Sequence, residues 1–234
     1  MPRLIENIDA VAFDLDGTLV DSAPDLSAAV NTMLRQLRYA PLPEQRVREM
    51  IGGGVERLVE SALHESTGRT PEAKTMGAAL RVFEGLYAER LFDCGRVFPG
   101  VMEGLRALRG WNIRLCCVTN KHSRFALPLL HAAGLARFFA FTLCADRAED
   151  KKPRPGLLLA ACGRFGTAPE RLLCVGDSRA DIAAARAAGC PVAAVNYGYN
   201  AGRPVEEERP DWVIHSLARI VTLRTARQRA VSSA

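Results

Sequence analysis

Apolar residues recur along this chain in two rhythms. Residues 8–13 form a short, nearly unbroken apolar run that predicts a fully buried strand. Residues 22–95 follow helical spacing instead. Leu26, Val30, Met33, Leu34 and Leu37 predict a helix that Asp21 or Ser22 can cap, with Pro24 in its first turn. Pro41 and Pro43 end it, and a second helix starts near Glu44. After Gly52-Gly53-Gly54, one helical face is marked by Val55, Leu58, Val59, Ala62 and Leu63. Gly68 to Pro71 break the pattern before a longer helix over 75–92. No strand is predicted between 22 and about 95.

From Pro99 onward the rhythms alternate. Helices are predicted at 101–109, 123–133, 155–165 and 179–188, and strands at 113–118, 139–143, 171–175 and 192–195. Residues 212–214 read as a last edge strand, followed by a closing helix from Ser216. Such alternation indicates an α/β fold, a doubly wound parallel sheet of Rossmann-like type with helices on both faces. The all-helical stretch is then an insertion after the first strand. The expected division is a core of residues 1–21 and 96–234 and a small α-helical cap of residues 22–95.

Composition adds mainly exclusions. The 234 residues are 48% apolar and 24% charged, which is ordinary for a globular protein. No apolar run has the ~18–20 residues a membrane helix needs, and the first residues lack the apolar stretch of a secretory signal. Seven cysteines without CxxC spacing read as reduced, mostly buried thiols of a cytoplasmic protein. The formal charge of +5 is uneven: Arg219, Arg224, Arg227 and Arg229 carry four of those charges and leave +1 on residues 1–215. The tail beyond about Arg224 reads as solvated and frayed, not as a nucleic-acid footprint. The expected partner is a small molecule, with the chain a monomer or homodimer.

The candidate chemistry lies where predicted strands end, which is where doubly wound sheets bind ligands. Asp14 and Asp16 follow the first strand, and alternation points them the same way while Leu15 points opposite. Two adjacent carboxylates need compensation, and a magnesium ion supplies it readily; a plain strand end with an Asp-Gly turn would carry the same residues. Thr119 and Asn120 offer a hydroxyl and an amide to phosphate oxygens, or equally a helix N-cap. Asp177 and Asp181 stand one helical turn apart and can face one pocket. Lys152, in Lys-Pro-Arg-Pro, has its backbone held extended by the following proline, and taken alone it reads as a surface lysine.

Together these stretches resemble the haloacid dehalogenase superfamily of phosphotransferases. The matching pieces are Asp14-Leu15-Asp16-Gly17-Thr18, Thr119-Asn120, Lys152-Pro153-Arg154-Pro155 and Gly176-Asp177-Ser178-Arg179-Ala180-Asp181, in that order across the whole core. Within the superfamily the chain looks most like the phosphoglycolate phosphatases, through Asp21-Ser22, Ile51-Gly52-Gly53-Gly54-Val55, Thr119-Asn120-Lys121 and Tyr197-Gly198-Tyr199-Asn200. It departs from the family pattern at Ala180, where Asn is usual, and at His122, where proline is usual.

The resemblance implies a phosphatase that hydrolyses 2-phosphoglycolate to glycolate and phosphate. Asp14 would be the nucleophile that becomes an aspartyl-phosphate, Asp16 the acid and base, and Lys152 a catalytic cation. Mg2+ would be held by Asp14, the Asp16 backbone carbonyl and Asp177, with Asp181 in support. Thr119 and Asn120 would bind the phosphate. In the cap, Gly52, Gly53 and Gly54 at a helix start would offer N–H groups to the substrate carboxylate, with Arg57 as a counter-charge; a tight inter-helix turn would need the same glycines. Asp16 separates the chain from dehalogenases, which expel halide and need no proton donor there. Lys74 is the sole lysine in residues 22–98 and is poorly placed for the Schiff base of the related phosphonate hydrolases. Another small phosphate ester, a phosphomutase reaction, or a non-catalytic phosphate-binding protein are the alternatives.

Overall fold

The computed structural model describes residues 7–224, so the basic tail beyond Arg224 lies outside the described residues. In chain order the elements are β1 (Ala10–Phe13), β2 (Val20–Asp21), α1 (Ala23–Gln36), α2 (Glu44–Met50), α3 (Val55–Thr67), α4 (Ala73–Glu89), β3 (Arg96–Val97) and α5 (Val101–Gly110). They continue with β4 (Arg114–Thr119), α6 (Ser123–Ala132), β5 (Phe141–Cys144), α7 (Gly156–Phe165), β6 (Leu172–Gly176), α8 (Arg179–Ala188), β7 (Val192–Val195) and β8 (Trp212–Ile214). The expected closing helix is a 3-10 helix, Leu217–Arg224.

Six strands form one sheet in the order β5-β4-β1-β6-β7-β8, with every neighbouring pair parallel. A parallel sheet is buried on both faces, and the strands show it by the side chains they send each way. Val11 and Phe13 of β1, Leu115 and Cys117 of β4 and Leu173 and Val175 of β6 pack with Leu105 and Leu108 of α5 and Leu129 of α6. The intervening Ala10, Ala12, Cys116, Val118, Leu172 and Cys174 pack with Leu158 and Phe165 of α7 and Ile182 of α8. The central strand thus has large side chains under one helical layer and alanines under the other.

Between β2 and β3, helices α1–α4 build a third cluster around Val30, Met33, Leu34, Leu63, Phe83 and Tyr87. The core contributes Phe125 of α6 to it, its ring 5.2 Å from that of Tyr87. The two chain crossings pair as a short antiparallel ribbon, β2 with β3. Asp25 ties them together by accepting the N–H groups of Cys94 (2.7 Å) and Gly95 (2.9 Å). Neither Asp21 nor Ser22 caps α1 with its side chain. Asp21 instead accepts from Arg48 of α2 at 2.9 Å and from the Tyr199 hydroxyl at 2.9 Å, and Ser22 turns to the strand ends.

All seven cysteines are free thiols. Those at 116, 117, 162, 174 and 190 are buried, Cys144 is partly so and Cys94 is exposed. No helix among the described residues is long and apolar enough to cross a membrane.

Candidate active site

The three central strands, β4, β1 and β6, end side by side. Phe13 is in register with Cys117 on one side and Val175 on the other, so Asp14, Thr119 and Asp177 emerge at neighbouring positions on one rim. Gly17 turns the chain back there with φ +86°, and a Cβ at Gly17 would lie 2.4 Å from the Asp177 carboxylate. A Cβ at Gly198 would lie 2.1 Å from the Asp177 Cβ. Asp177 is therefore wedged between two backbones that only glycine lets approach. Its Oδ1 accepts from the Thr18 hydroxyl at 2.9 Å and its Oδ2 from the Tyr199 N–H at 2.8 Å.

Carboxylate oxygens of Asp14, Asp177 and Asp181 lie within 4.8 Å of one another. Among the described residues one ammonium, that of Lys152, is hydrogen-bonded to this trio. Its Nζ donates to Asp14 Oδ1 at 2.7 Å, Asp181 Oδ1 at 2.6 Å and the Val118 carbonyl at 2.9 Å. Lys152 is only 5% exposed, so it is an interior lysine and not the surface residue its local sequence suggests. Three carboxylates against one ammonium leave the cluster short of positive charge. Burial and the neighbouring carboxylates push Asp14 up to about 7 and Asp177 up to about 8, against Lys152's opposing pull on Asp14. The same carboxylates hold Lys152 well above the ordinary lysine value despite its burial. A hard divalent cation fits such an all-oxygen, charge-deficient donor set.

A model of haloacid dehalogenase-like hydrolases matches residues 8–189, which contain Asp14, Lys152, Asp177 and Asp181. The chain belongs to that family. Among similar sequences, a phosphoglycolate phosphatase from Nitrosospira multiformis is 46% identical over 210 residues, spanning 90% of this chain and 92% of that protein. One from Escherichia coli is 40% identical over 228 residues, covering 91% and 90%. Among solved structures, that of a predicted phosphoglycolate phosphatase from Haemophilus somnus superposes with a TM-score of 0.88 at 34% identity. It covers 93% of this chain and 98% of its own.

In this hydrolase a cavity opens over the strand ends, between the core and the helical insertion. Asp14, Asp16, Thr119, Asn120, Lys121, Lys152, Ser178 and Ala180 line it from the core, and Leu26, Ile51, Gly52, Gly54, Val55 and Leu58 close it from the helical insertion. Asp181 sits behind Lys152, and its other oxygen accepts the N–H (3.1 Å) and hydroxyl (2.6 Å) of Ser178 in a capping box of α8. Both of its oxygens are thus engaged by protein donors. Asn120 lines the cavity with both N–H bonds committed, to the carbonyls of Gly52 (3.0 Å) and Lys152 (3.1 Å), while its oxygen accepts the Lys152 N–H at 2.7 Å. Its amide clamps the Lys152 segment to the glycine loop and has no free N–H for a phosphate. Thr119 differs: its oxygen accepts from the Lys121 N–H at 3.1 Å, which leaves its O–H to donate.

Two cap residues expected at the site are elsewhere. Arg57 is exposed and folds back over Gly53, where a Cβ would meet it at 2.5 Å. It lines a separate cleft with Arg46, Glu49 and His64, away from Asp14, and Gly53 does not line the Asp14 cavity. Helical spacing put Arg57 one turn beyond the glycines, but spacing does not say which way a surface side chain lies. His122 is the N-cap of α6 and accepts the Arg124 N–H through Nδ1 at 3.3 Å.

Sequence reasoning missed the surroundings of Asp16. Lys121 Nζ lies 3.0 Å from each Asp16 oxygen, and the Ser22 hydroxyl donates to Oδ1 at 2.6 Å. The available signal was thin. Lys121 is one of only four lysines and follows directly on Thr119-Asn120.

Proposed function

We propose that this hydrolase is a Mg2+-dependent phosphatase that converts 2-phosphoglycolate to glycolate and phosphate through an aspartyl-phosphate on Asp14. The observation that carries the chemistry is the Asp14/Asp177/Asp181 cluster, to which Lys152 brings the one hydrogen-bonded ammonium among the described residues and which opens to a cavity on the Asp14 side. The substrate follows from the relatives named phosphoglycolate phosphatase, 40–46% identical over nine-tenths of the chain. In this reading residues 22–95 act as a cap over the core of residues 1–21 and 96–234.

The Asp14 carboxylate attacks phosphorus, and the ester oxygen leaves with the electron pair of the broken P–O bond and a proton from Asp16. Water then attacks phosphorus, its proton passes to Asp16, and the Asp14–phosphorus bond breaks with its pair returning to Asp14. Lys152 and the Thr119 hydroxyl stabilise charge on the transferring phosphoryl oxygens. Asn120 and Asp181 keep Lys152 in place. Mg2+ would be held by Asp14, Asp177 and the Asp16 backbone carbonyl, with Asp181 in support, and when bound it offsets the repulsion between the anionic nucleophile and the anionic ester. On the cap side the available groups for the substrate carboxylate are Gly52 and Gly54 at the start of α3, with no part for Arg57.

The decisive measurement is phosphate release from a panel of small esters, with and without chelator. The panel includes 2-phosphoglycolate, hexose phosphates, glycerol phosphate and pyrophosphate. The expected result is the highest kcat/KM on 2-phosphoglycolate, abolished by chelation and restored by Mg2+. A higher kcat/KM on a sugar phosphate, or isomerisation of it without phosphate release, overturns the substrate assignment.

A further inference from the structure

We propose that Lys121 is a positioning residue for proton transfer, holding the Asp16 carboxyl toward the departing ester oxygen; this rests on the acid–base role given above to Asp16. The Lys121 side chain is 4% exposed, and its ammonium stands 3.0 Å from both Asp16 oxygens. The face of Tyr87, a buried residue of α4, lies 4.8 Å from the same nitrogen. Burying a strongly hydrated point charge on a flexible stem is costly, and an ion pair of this kind is a poor source of stability. Its location gives it another use.

An aspartate side chain turns about two bonds. Here the ammonium spans the two oxygens, and the Ser22 hydroxyl holds Oδ1 from a third direction at 2.6 Å, so both rotations are restrained. The lysine is itself anchored, because its N–H is bonded to the Thr119 oxygen at 3.1 Å. The strand-end turn therefore sends consecutive side chains to opposite halves of the reaction: Asn120 holds the segment of Lys152, which serves the nucleophile, and Lys121 holds the acid. A misplaced reacting group costs about 10²-fold per ångström, and Asp16 must be in place twice, to donate a proton and then to accept one. Direct binding of the substrate's second anion suits Lys121 less well. Lys121 lines the same cavity, but its ammonium is directed at Asp16 and at the face of Tyr87, and its side chain is only 4% exposed.

The test compares kcat/KM for three esters, since this ratio reports the steps up to departure of the leaving group. The esters are 2-phosphoglycolate, its neutral counterpart 2-hydroxyethyl phosphate, and 4-nitrophenyl phosphate, whose phenolate leaves without needing a proton. Lys121→Met is expected to lose about 10²-fold on both alkyl esters and less than about 3-fold on 4-nitrophenyl phosphate, within the range of general acid catalysis. Equal loss on all three would mean a structural role and overturns the proposal. Loss on 2-phosphoglycolate alone would make Lys121 a substrate-binding cation and overturns it as well. Asp16→Asn, measured alongside, must discriminate the esters in the same way. If it does not, the reading of Asp16 fails; if it does and Lys121→Met does not, only the positioning role fails. Turnover of 4-nitrophenyl phosphate certifies that each variant is folded. Should Lys121→Met not fold, Lys121→Gln is read by the same criteria.

Discussion

Asp14 reaches the cavity floor with 13% of its side chain exposed, while Asp177 behind it is buried and fixed on both oxygens. That difference decides which of the two can attack an ester. Asp14 keeps access to the cavity, and the Lys152 ammonium bonded to its Oδ1 does not block it. Asp14→Asn keeps the size and removes the proposed nucleophile. It is expected to lower kcat by on the order of 10³-fold or more, with no phosphoenzyme trapped on rapid acid quench, because groups that act as a unit fail together. Turnover within tenfold of the wild type would refute the nucleophile. At this scale the sequence was informative where adjacency carries the chemistry. Asp14 and Asp16 share a strand end whatever the rest of the chain does. Lys152 was opaque, because a lysine beside a proline shows nothing of the carboxylates that surround it after folding. Arg57 was misplaced for the same reason.

Phe125 shows what holds the helical insertion to the sheet. It belongs to α6 by sequence, but it is buried in the α1–α4 cluster against Tyr87. Phe125→Ala is expected to cost ~3–5 kcal/mol, the range for a large aromatic deleted from a packed core, read as a lower urea midpoint. A change below about 0.5 kcal/mol, the ordinary range for a surface substitution, would show that this contact does not organise the cap. The strands and helices themselves were legible because each is a local pattern. Residues 179–188, 192–195 and 212–214 match their elements end to end. The last helix was less so: apolar spacing from Ser216 suits an α-helix, yet the segment forms 3-10 turns as it packs beside α5. Ser22 also stands where a capping hydroxyl belongs, and it serves Asp16 instead.

Across the whole molecule, the shortage of positive charge in the acid cluster ties stability to pH and to the cation proposed for it. In chelator, the folded protein holds protons on Asp14 and Asp177 up to about 7 and about 8, whereas unfolded aspartates release them near 3.8. The folded state binds more protons over that interval, so stability falls as pH rises from about 4 through about 8. Under the proposed function Mg2+ would displace those protons and bind the folded form, so its stabilisation would grow with pH. Melting curves at pH 5, 6.5 and 8 should show the midpoint dropping in chelator, and Mg2+ raising it most at pH 8. One kcal/mol corresponds to about 2–4 °C in a chain of this size. A chelated midpoint that does not move over that range would mean the cluster is compensated by other means. By itself the sequence determined the α/β alternation, the helical insertion and the residues at each strand end, because all of these depend on near neighbours and on periodic burial. Only the tertiary structure decided that Lys152, 138 positions from Asp14, pairs with it, that Lys121 clamps Asp16, and that Asn120 serves Lys152. Charge pairing is set by distance in space and by the removal of water, and neither is written in the spacing of residues along the chain.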